Sequence, residues 1–282
     1  MEKRTELTSN LVSVIIPVRN GASFISEAID SCLSQETQFA YNIIVVNDGS
    51  TDDTVRKVKD ISRIDPRVNL LHSKGRGVGQ ALQVGLEHSD AVYILRLDAD
   101  DRMLPGRIQR QVDSLMSDKS LVLCGTQIRL FGNTDASFKP NFYPLSNSEI
   151  CKFMQQGNAF ADPSVAFKRL SALEVGGFPL RLDGAEQYHL WLRLSKVGKL
   201  MNLSEELTEY RIHPKQFTQS KVGKVVTRTF LVQILWFFGF TQLSLIVKMG
   251  LFRSYSGGVG RRLIPYNLTK YLLFSLVAWV RS

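Results

Sequence analysis

YILRLDADDRM, running from Tyr93 to Met103, is the stretch on which the reading of this chain turns. A short apolar run is followed by Asp98, Asp100 and Asp101 within four positions. Carboxylates that close repel one another and raise each other's proton affinity unless a positive charge sits among them. A solvated loop tolerates such crowding. A divalent cation makes it useful. The choice between the two depends on what surrounds the stretch.

Upstream, VSVIIPV (12–18), NIIVV (42–46) and VNLLH (68–72) are apolar runs of strand length, and AVYILRL (91–97) is the fourth. Helical patterns separate them, from Ala22 to Gln35 and from about Gly79 to His88, and Ser50 or Thr51 is expected to cap another after NDGS. A further helix starts near Pro105 and leads to SLVLCGTQIRLF (120–131). Continuous Val/Ile/Leu runs alternating with helices predict an α/β fold whose central sheet is mainly parallel and covered on both faces. In open sheets of this kind ligands bind beyond the carboxyl ends of the strands. NDGS follows the second strand and DADD the fourth, so both acidic loops fall on that edge. The second half reads as less regular: a loop at 132–147, NAFADPSVAFKR (158–169), a turn at 176–178, a helix from about Gly184 to Val197, and a final strand at 207–214.

The chain has 282 residues, and its net charge of +9 is unevenly spread. All 26 acids lie at or before Glu209, whereas residues 210–282 carry 11 Lys and Arg and no acid. A near-neutral body with a basic, apolar tail argues for an anionic membrane surface as a partner and against nucleic acid. Cys32, Cys124 and Cys151 have neither zinc-ligand spacing nor a disulfide framework. The polar N-terminus lacks the apolar stretch of a signal peptide, which makes the cytoplasm the expected compartment.

Two other motif readings fail on detail. Counted from Gly75, the sixth position of a G-x-G-x-x-G fingerprint is Gln80, and the motif would follow the third strand. DADD lacks the glycine and terminal Glu of a calcium-binding EF-hand loop.

Taken in order, VSVIIPVRN, VVNDGSTDDT, GRGVGQALQVGL, RLDADD with LPGRIQRQV, and AEQYHLWLRL with YRIHP resemble the inverting family 2 glycosyltransferases of the GT-A fold. The resemblance covers roughly Leu11 to Gln216. It implies a Rossmann-like nucleotide-sugar-binding domain, residues 1–219, followed by a helical tail, 220–282. It also implies a nucleotide-sugar donor, a UDP-sugar above all, a glycan or lipid-linked acceptor, and Mn²⁺ or Mg²⁺ as cofactor. Asp98-Ala99-Asp100 is then the DxD motif, with Asp100 ligating the metal directly and Asp98 serving the donor ribose and the metal. Asp48 matches the position that bonds the nucleobase, beside a wall formed by Pro17, Val18, Arg19 and Asn20. Arg76 lies near the nucleotide, and Arg211 and His213 belong to the loop that closes over the diphosphate. A metal among carboxylates and phosphate oxygens neutralises charge that grows as the sugar–phosphate bond breaks.

The chain departs from the family where the acceptor proton is taken. The family supplies a Glu-Asp pair at the start of a helix, and here the pair reads Glu186-Gln187. An amide accepts no proton at neutral pH, so Glu186 is the expected base, followed by Asp183 and His189. A catalytically silent binding protein of the same fold is the alternative this departure leaves. A nucleotidyltransferase, releasing diphosphate, is more distant. Trp191 and Leu192 are expected in the core.

The tail holds TFLVQILWFFGFTQLSLIV (229–247), 19 residues without a charge, and YLLFSLVAWV (271–280). Polar residues in the first and the shortness of the second favour helices lying in the headgroup layer, ahead of helices packed on the catalytic domain and of a true span. The expected location is therefore peripheral, on the inner face of the cell membrane.

Overall fold

The computed structural model describes residues 11–133, 142–179, 182, 184–213, 229 and 232. All of them fall within the first of two compact units, 1–237. The expected domain boundary at 219/220 and nearly all of the basic tail lie outside the described residues.

Four strands form the nucleus: β1 (Val12–Val18), β2 (Tyr41–Asn47), β3 (Val68–His72) and β4 (Tyr93–Arg96). Helix α1 (Ile25–Leu33) follows β1, α2 (Thr54–Ile64) follows β2, and α3 (Val78–His88) follows β3. All seven residues of β1 are buried, which is why VSVIIPV carries no alternation. Burial of each Val or Ile there contributes roughly 1.5–3 kcal/mol. Against this strand pack Ile25, Ala28, Ile29 and Cys32 of α1.

Four further strands complete the sheet: β5 (Arg102–Met103), β6 (Leu121–Gly132), β7 (Ala166–Lys168) and β8 (Lys199–Ile212). The order is β3-β2-β1-β4-β7-β6-β8-β5. Pairings are parallel from β3 through β4 and between β6 and β8, and antiparallel where β7 joins β4 to β6 and where β5 joins β8. The α/β expectation holds, with a parallel half and a mixed half. Because the chain runs β1 to β3 in one direction and then returns to place β4 on the other side of β1, the order reverses between β1 and β4. A crevice opens at the carboxyl ends of strands at such a point.

The remaining helices among the described residues are α4 (Arg107–Ser117), α5 (Asn147–Phe153), α6 (Arg169–Glu174) and α7 (Glu186–Leu194), with a short 3-10 turn at Asp162–Ser164. The second half is thus more ordered than its sequence suggests. β7 has three residues, too few to show a period, and it is held by neighbours on both sides. β8 begins at Lys199, eight residues before the expected strand, because a register shift against β6 lets Leu203–Glu205 bulge out between the Gly125/Asn202 and Gln127/Glu206 pairs without ending the strand. The cap of α2 also differs from expectation. The N-cap is Asp53, without a side-chain cap bond, and Asp52 before it accepts from the Thr54 amide and the Ala22 amide, each at 3.1 Å. Trp191 and Leu192 are in the core as expected.

Candidate active site

The turn after β4 assembles the acids. The Asp101 amide donates to the Asp98 carbonyl at 3.2 Å, folding the loop tightly enough that ligand atoms of Asp98, Asp100 and Asp101 lie within 4.8 Å of one another. Arg96, the last residue of β4, donates from Nη2 to Asp98 Oδ1 at 2.7 Å. Burial, Asp100 and Asp162 push the Asp98 carboxyl up to about 6, although Arg96 opposes them. Asp101 is 1 % exposed and is pushed well above the carboxylate range, by burial first and then by Asp98 and Asp100. Its Oδ1 accepts from the Arg211 amide at 2.8 Å, and its Oδ2 is buried with no partner. An all-oxygen set of three carboxylates, one with an orphaned buried oxygen, fits a hard divalent cation. Asp98 and Asp100 were the expected ligands. Asp101 joins them.

Asp100 faces the end of β8. His213 Nε2 lies 2.9 Å from Asp100 Oδ2, and Arg211 Nε donates to the Asp100 carbonyl at 2.7 Å. Arg211 also pairs with Glu27 and stacks 4.7 Å from the Phe24 ring and 4.3 Å from the Phe131 ring. Phe24 in turn lies 5.0 Å from His213. Arg211 and His213 therefore stand beside the acidic turn, and α1 supplies a brace that sequence reading missed.

At the end of β1, Pro17 and Val18 are buried and Arg19 and Asn20 are exposed. Asn20 has φ 53 and joins this loop to the one after β2: its amide donates to Ser50 Oγ at 2.9 Å and its Oδ1 accepts from the Thr51 amide at 2.8 Å. Asp48 is buried at the base of the same loops. Its carboxylate accepts from Ser73 Oγ and, at 2.9 Å, from the Gly77 amide. Gly77 has φ 106, a conformation side chains resist, and that turns its amide toward Asp48. Asp48 thus ties the loop carrying Arg76, which is exposed, to the cleft.

The position expected to hold the base, Glu186 with Gln187, opens α7. Glu186 is 1 % exposed, and burial pushes its carboxyl up to about 7, with the Asp162 charge adding to the effect. Its Oε2 accepts from the Ala185 amide at 3.0 Å. In the amide orientation that satisfies both neighbours, Gln187 donates to Glu186 Oε1 at 3.0 Å and accepts from Arg96 Nη2 at 3.1 Å. A chain of contacts thereby runs Asp98–Arg96–Gln187–Glu186. Burial pushes the His189 imidazole down to about 4, Arg193 adding to it, and its Nδ1 is buried without a partner. Asp183 lies outside the described residues.

Two buried arginines organise this wall. Arg96 is 3 % exposed, and Asp98, Asp162, Glu186 and Asp101 together outweigh the penalty of burying its charge. Arg107, fully buried on α4, donates through Nη2 to the Arg96 carbonyl at 2.8 Å and to the Val165 carbonyl at 3.3 Å, fixing the β4–β7 seam. Sequence reading passed over Arg96, Arg107 and Asp162. Arg96 had a signal, being a charge inside an apolar strand.

The sequence model for glycosyl transferase family 2 matches residues 13–176. This chain is a family 2 glycosyltransferase. Among relatives of this glycosyltransferase, the O-antigen biosynthesis glycosyltransferase WbnJ of Escherichia coli is 31 % identical over 76 % of this chain and 84 % of its own length. Among solved structures, S. aureus TarS 1–349 in complex with UDP-GlcNAc has a TM-score of 0.63 at 18 % identity, covering 79 % of this chain, which spans 66 % of that one. The mannosyltransferase PcManGT from Pyrobaculum calidifontis, in complex with GDP-Man and Mn²⁺, has a TM-score of 0.62 at 16 % identity, covering 97 % and 81 %. At such identities the structural likeness shows the fold, which is GT-A. The glycosyltransferase identity rests on the family match and on the curated relatives.

Proposed function

We propose that this glycosyltransferase moves a sugar from a UDP-sugar to a hydroxyl on a glycan or lipid-linked acceptor, inverting the anomeric centre, with Mn²⁺ or Mg²⁺ bound. The observation that carries the reading is the turn at 98–101, where three carboxylates converge at the strand-order reversal. Asp98, Asp100 and Asp101 would hold the cation, which supplies charge neutralisation at the diphosphate. Asp48 and the Pro17–Asn20 loop would receive the nucleoside, with Arg76 on the adjacent loop. Arg211 and His213 would meet the diphosphate from the β8 side. A UDP-sugar is favoured because TarS was solved with UDP-GlcNAc, and GDP-mannose is the second candidate because PcManGT was solved with it. WbnJ's part in O-antigen biosynthesis supports a cell-surface polysaccharide or lipid-linked glycan as product. The basic tail supports attachment to the inner face of the cell membrane. No helix among the described residues is long and apolar enough to cross a membrane.

Inversion needs a base at the acceptor hydroxyl. The family pattern puts that base at the start of α7, where Glu186, Asp183 and His189 are the candidates.

Incubation with a panel of UDP-sugars and GDP-mannose, with and without Mn²⁺ or Mg²⁺, tests the proposal. Metal-dependent release of a nucleoside diphosphate is expected. Release of inorganic diphosphate, or activity indifferent to chelator, overturns it.

A further inference from the structure

Glu186 has no open path to an acceptor. Its side chain is 1 % exposed, and both oxygens are taken up inside the protein, one by the Ala185 amide and the other by the Gln187 amide. Gln187 itself is buried and neutral. Neither member of the expected pair presents a free carboxylate oxygen to the cleft.

A different carboxylate nearby keeps one oxygen unbonded. Asp162 opens the 3-10 turn between the loop at 154–161 and β7, and that turn packs on β4, β6 and β8. One of its oxygens is fixed from two sides: Asn158 Nδ2 donates to Oδ1 at 2.8 Å and Trp191 Nε1 donates to the same atom at 3.2 Å. Trp191 is fully buried on α7, five residues beyond Glu186, so the indole locks the Asp162 carboxylate to the helix that carries the family pair. The other oxygen, Oδ2, accepts no hydrogen bond, and the residue is partly exposed. The antiparallel β4–β7 register, continued by the Arg96 amide donating to the Val165 carbonyl at 3.0 Å, sets Asp162 near the end of β4, and the Trp191 bond ties it to α7.

We infer that Asp162 takes the acceptor proton, a duty carried out through its unbonded Oδ2, and that Glu186 is the buried carboxylate behind it. The inference rests on the glycosyltransferase reading and names the base within it. The acceptor O–H bond breaks, its proton passing to Oδ2. The oxygen lone pair forms the bond to the anomeric carbon from the face opposite the leaving group. The anomeric carbon–oxygen bond breaks, and its electron pair departs on the nucleoside diphosphate. The Asp162 carboxylic acid then returns its proton to water. Two donors on Oδ1 hold the carboxylate in a single orientation, so the reacting oxygen is presented without a further loss of side-chain freedom at each turnover.

Of the other expected candidates, His189 has its Nδ1 buried and unpartnered, and Asp183 lies outside the described residues.

The test compares D162N and E186Q with the parent chain, using the UDP-sugar or GDP-mannose that the parent turns over fastest with Mn²⁺, water or added glycan serving as acceptor. An asparagine at 162 keeps an oxygen for Asn158 and Trp191, so the fold is preserved. D162N is expected to lower turnover by about 10²–10⁴-fold, the usual worth of a positioned base, with UDP and Mn²⁺ affinity unchanged by calorimetry. E186Q is expected to lower turnover far less than D162N, because both Glu186 oxygens are already engaged inside the protein. D162N with near-parent turnover, together with an inactive E186Q, overturns the inference and leaves the glycosyltransferase reading standing. If D162N is poorly folded, D162E decides: recovery of turnover supports the inference, and a well-folded but inactive D162E overturns it. A parent chain that releases nucleoside diphosphate from no donor overturns both.

Discussion

Glu186→Gln isolates the energetic consequence of burying a carboxylate beneath the site. In the folded chain burial holds the carboxyl neutral up to about pH 7, against an ordinary value of 4.5. Between those pH values the native state therefore binds more protons than the unfolded chain, and stability must fall as pH rises. The Glu186 contribution is fully present below 4.5 and is lost as pH climbs through about 7. A gap of that width, at about 1.4 kcal/mol per pH unit, is worth on the order of 3 kcal/mol. The glutamine variant does not titrate, and its carbonyl can still accept from the Ala185 amide. Arg96 stays compensated by Asp98, Asp101 and Asp162. Urea unfolding of both proteins from pH 4.5 to 8.5 checks this, because the other titrations are common to both and cancel in the difference. Relative to the parent, E186Q should gain steadily up to about pH 7 and then hold level, with an advantage of a few kcal/mol. A stability difference that does not change with pH, or a parent that gains on the variant as pH rises, would refute the reasoning.

Asp100→Asn should leave the protein folded and abolish the Mn²⁺-dependent part of UDP binding, read by calorimetry with and without the ion; full retention would remove Asp100 from the ligand set. Gly79→Ala places a methyl 2.8 Å from the Pro179 carbonyl and 3.3 Å from Cβ and Cγ of Glu186. Overpacking of that kind costs about 1–3 kcal/mol, visible as a lower melting temperature, and an unchanged melt would mean the α3–α7 contact gives way freely. The basic tail should bind anionic vesicles in a salt-sensitive way, each engaged Lys or Arg contributing roughly 1 kcal/mol. A chain ending near Ser220 should stay in the supernatant while keeping its UDP affinity, and equal sedimentation of the two would place the membrane surface elsewhere.

The half of the fold that was legible in sequence is the half where burial is complete. β1 and β2 bury nearly every residue, so they appear as unbroken apolar runs, and their acidic loops fall where strand order reverses. β7 and β8 were obscure for opposite reasons. The first is three residues held by neighbours on both sides, and the second keeps a solvent-facing side whose Ser204, Glu205 and Glu206 mimic a loop. Site residues divide the same way. Asp98 and Asp100 sit inside a dense local motif. Asp162 lies 62 residues beyond Asp100 in the unremarkable run ADPS, and only the antiparallel return of β7 brings it to the end of β4.

The departure at Gln187 takes on meaning in that setting. Arg96 is the cation against which four carboxylates are balanced: Asp98, Asp101, Asp162 and Glu186. Two of these, Asp98 and Glu186, already have proton affinities raised to about 6 and about 7. A carboxylate at 187, buried and within 3.0 Å of Glu186 and 3.1 Å of Arg96, would be a fifth negative charge competing for the same guanidinium. Like charges that close cannot both ionise, so one would stay protonated. An amide instead donates to Glu186 and accepts from Arg96 at once, satisfying both without adding charge. That neutral bridge leaves more of the guanidinium's charge to Asp98 and to Asp162, the carboxylate with an open oxygen. Read this way, glutamine at the family's base position does not silence the site. It moves the reacting carboxylate from the start of α7 to the turn before β7.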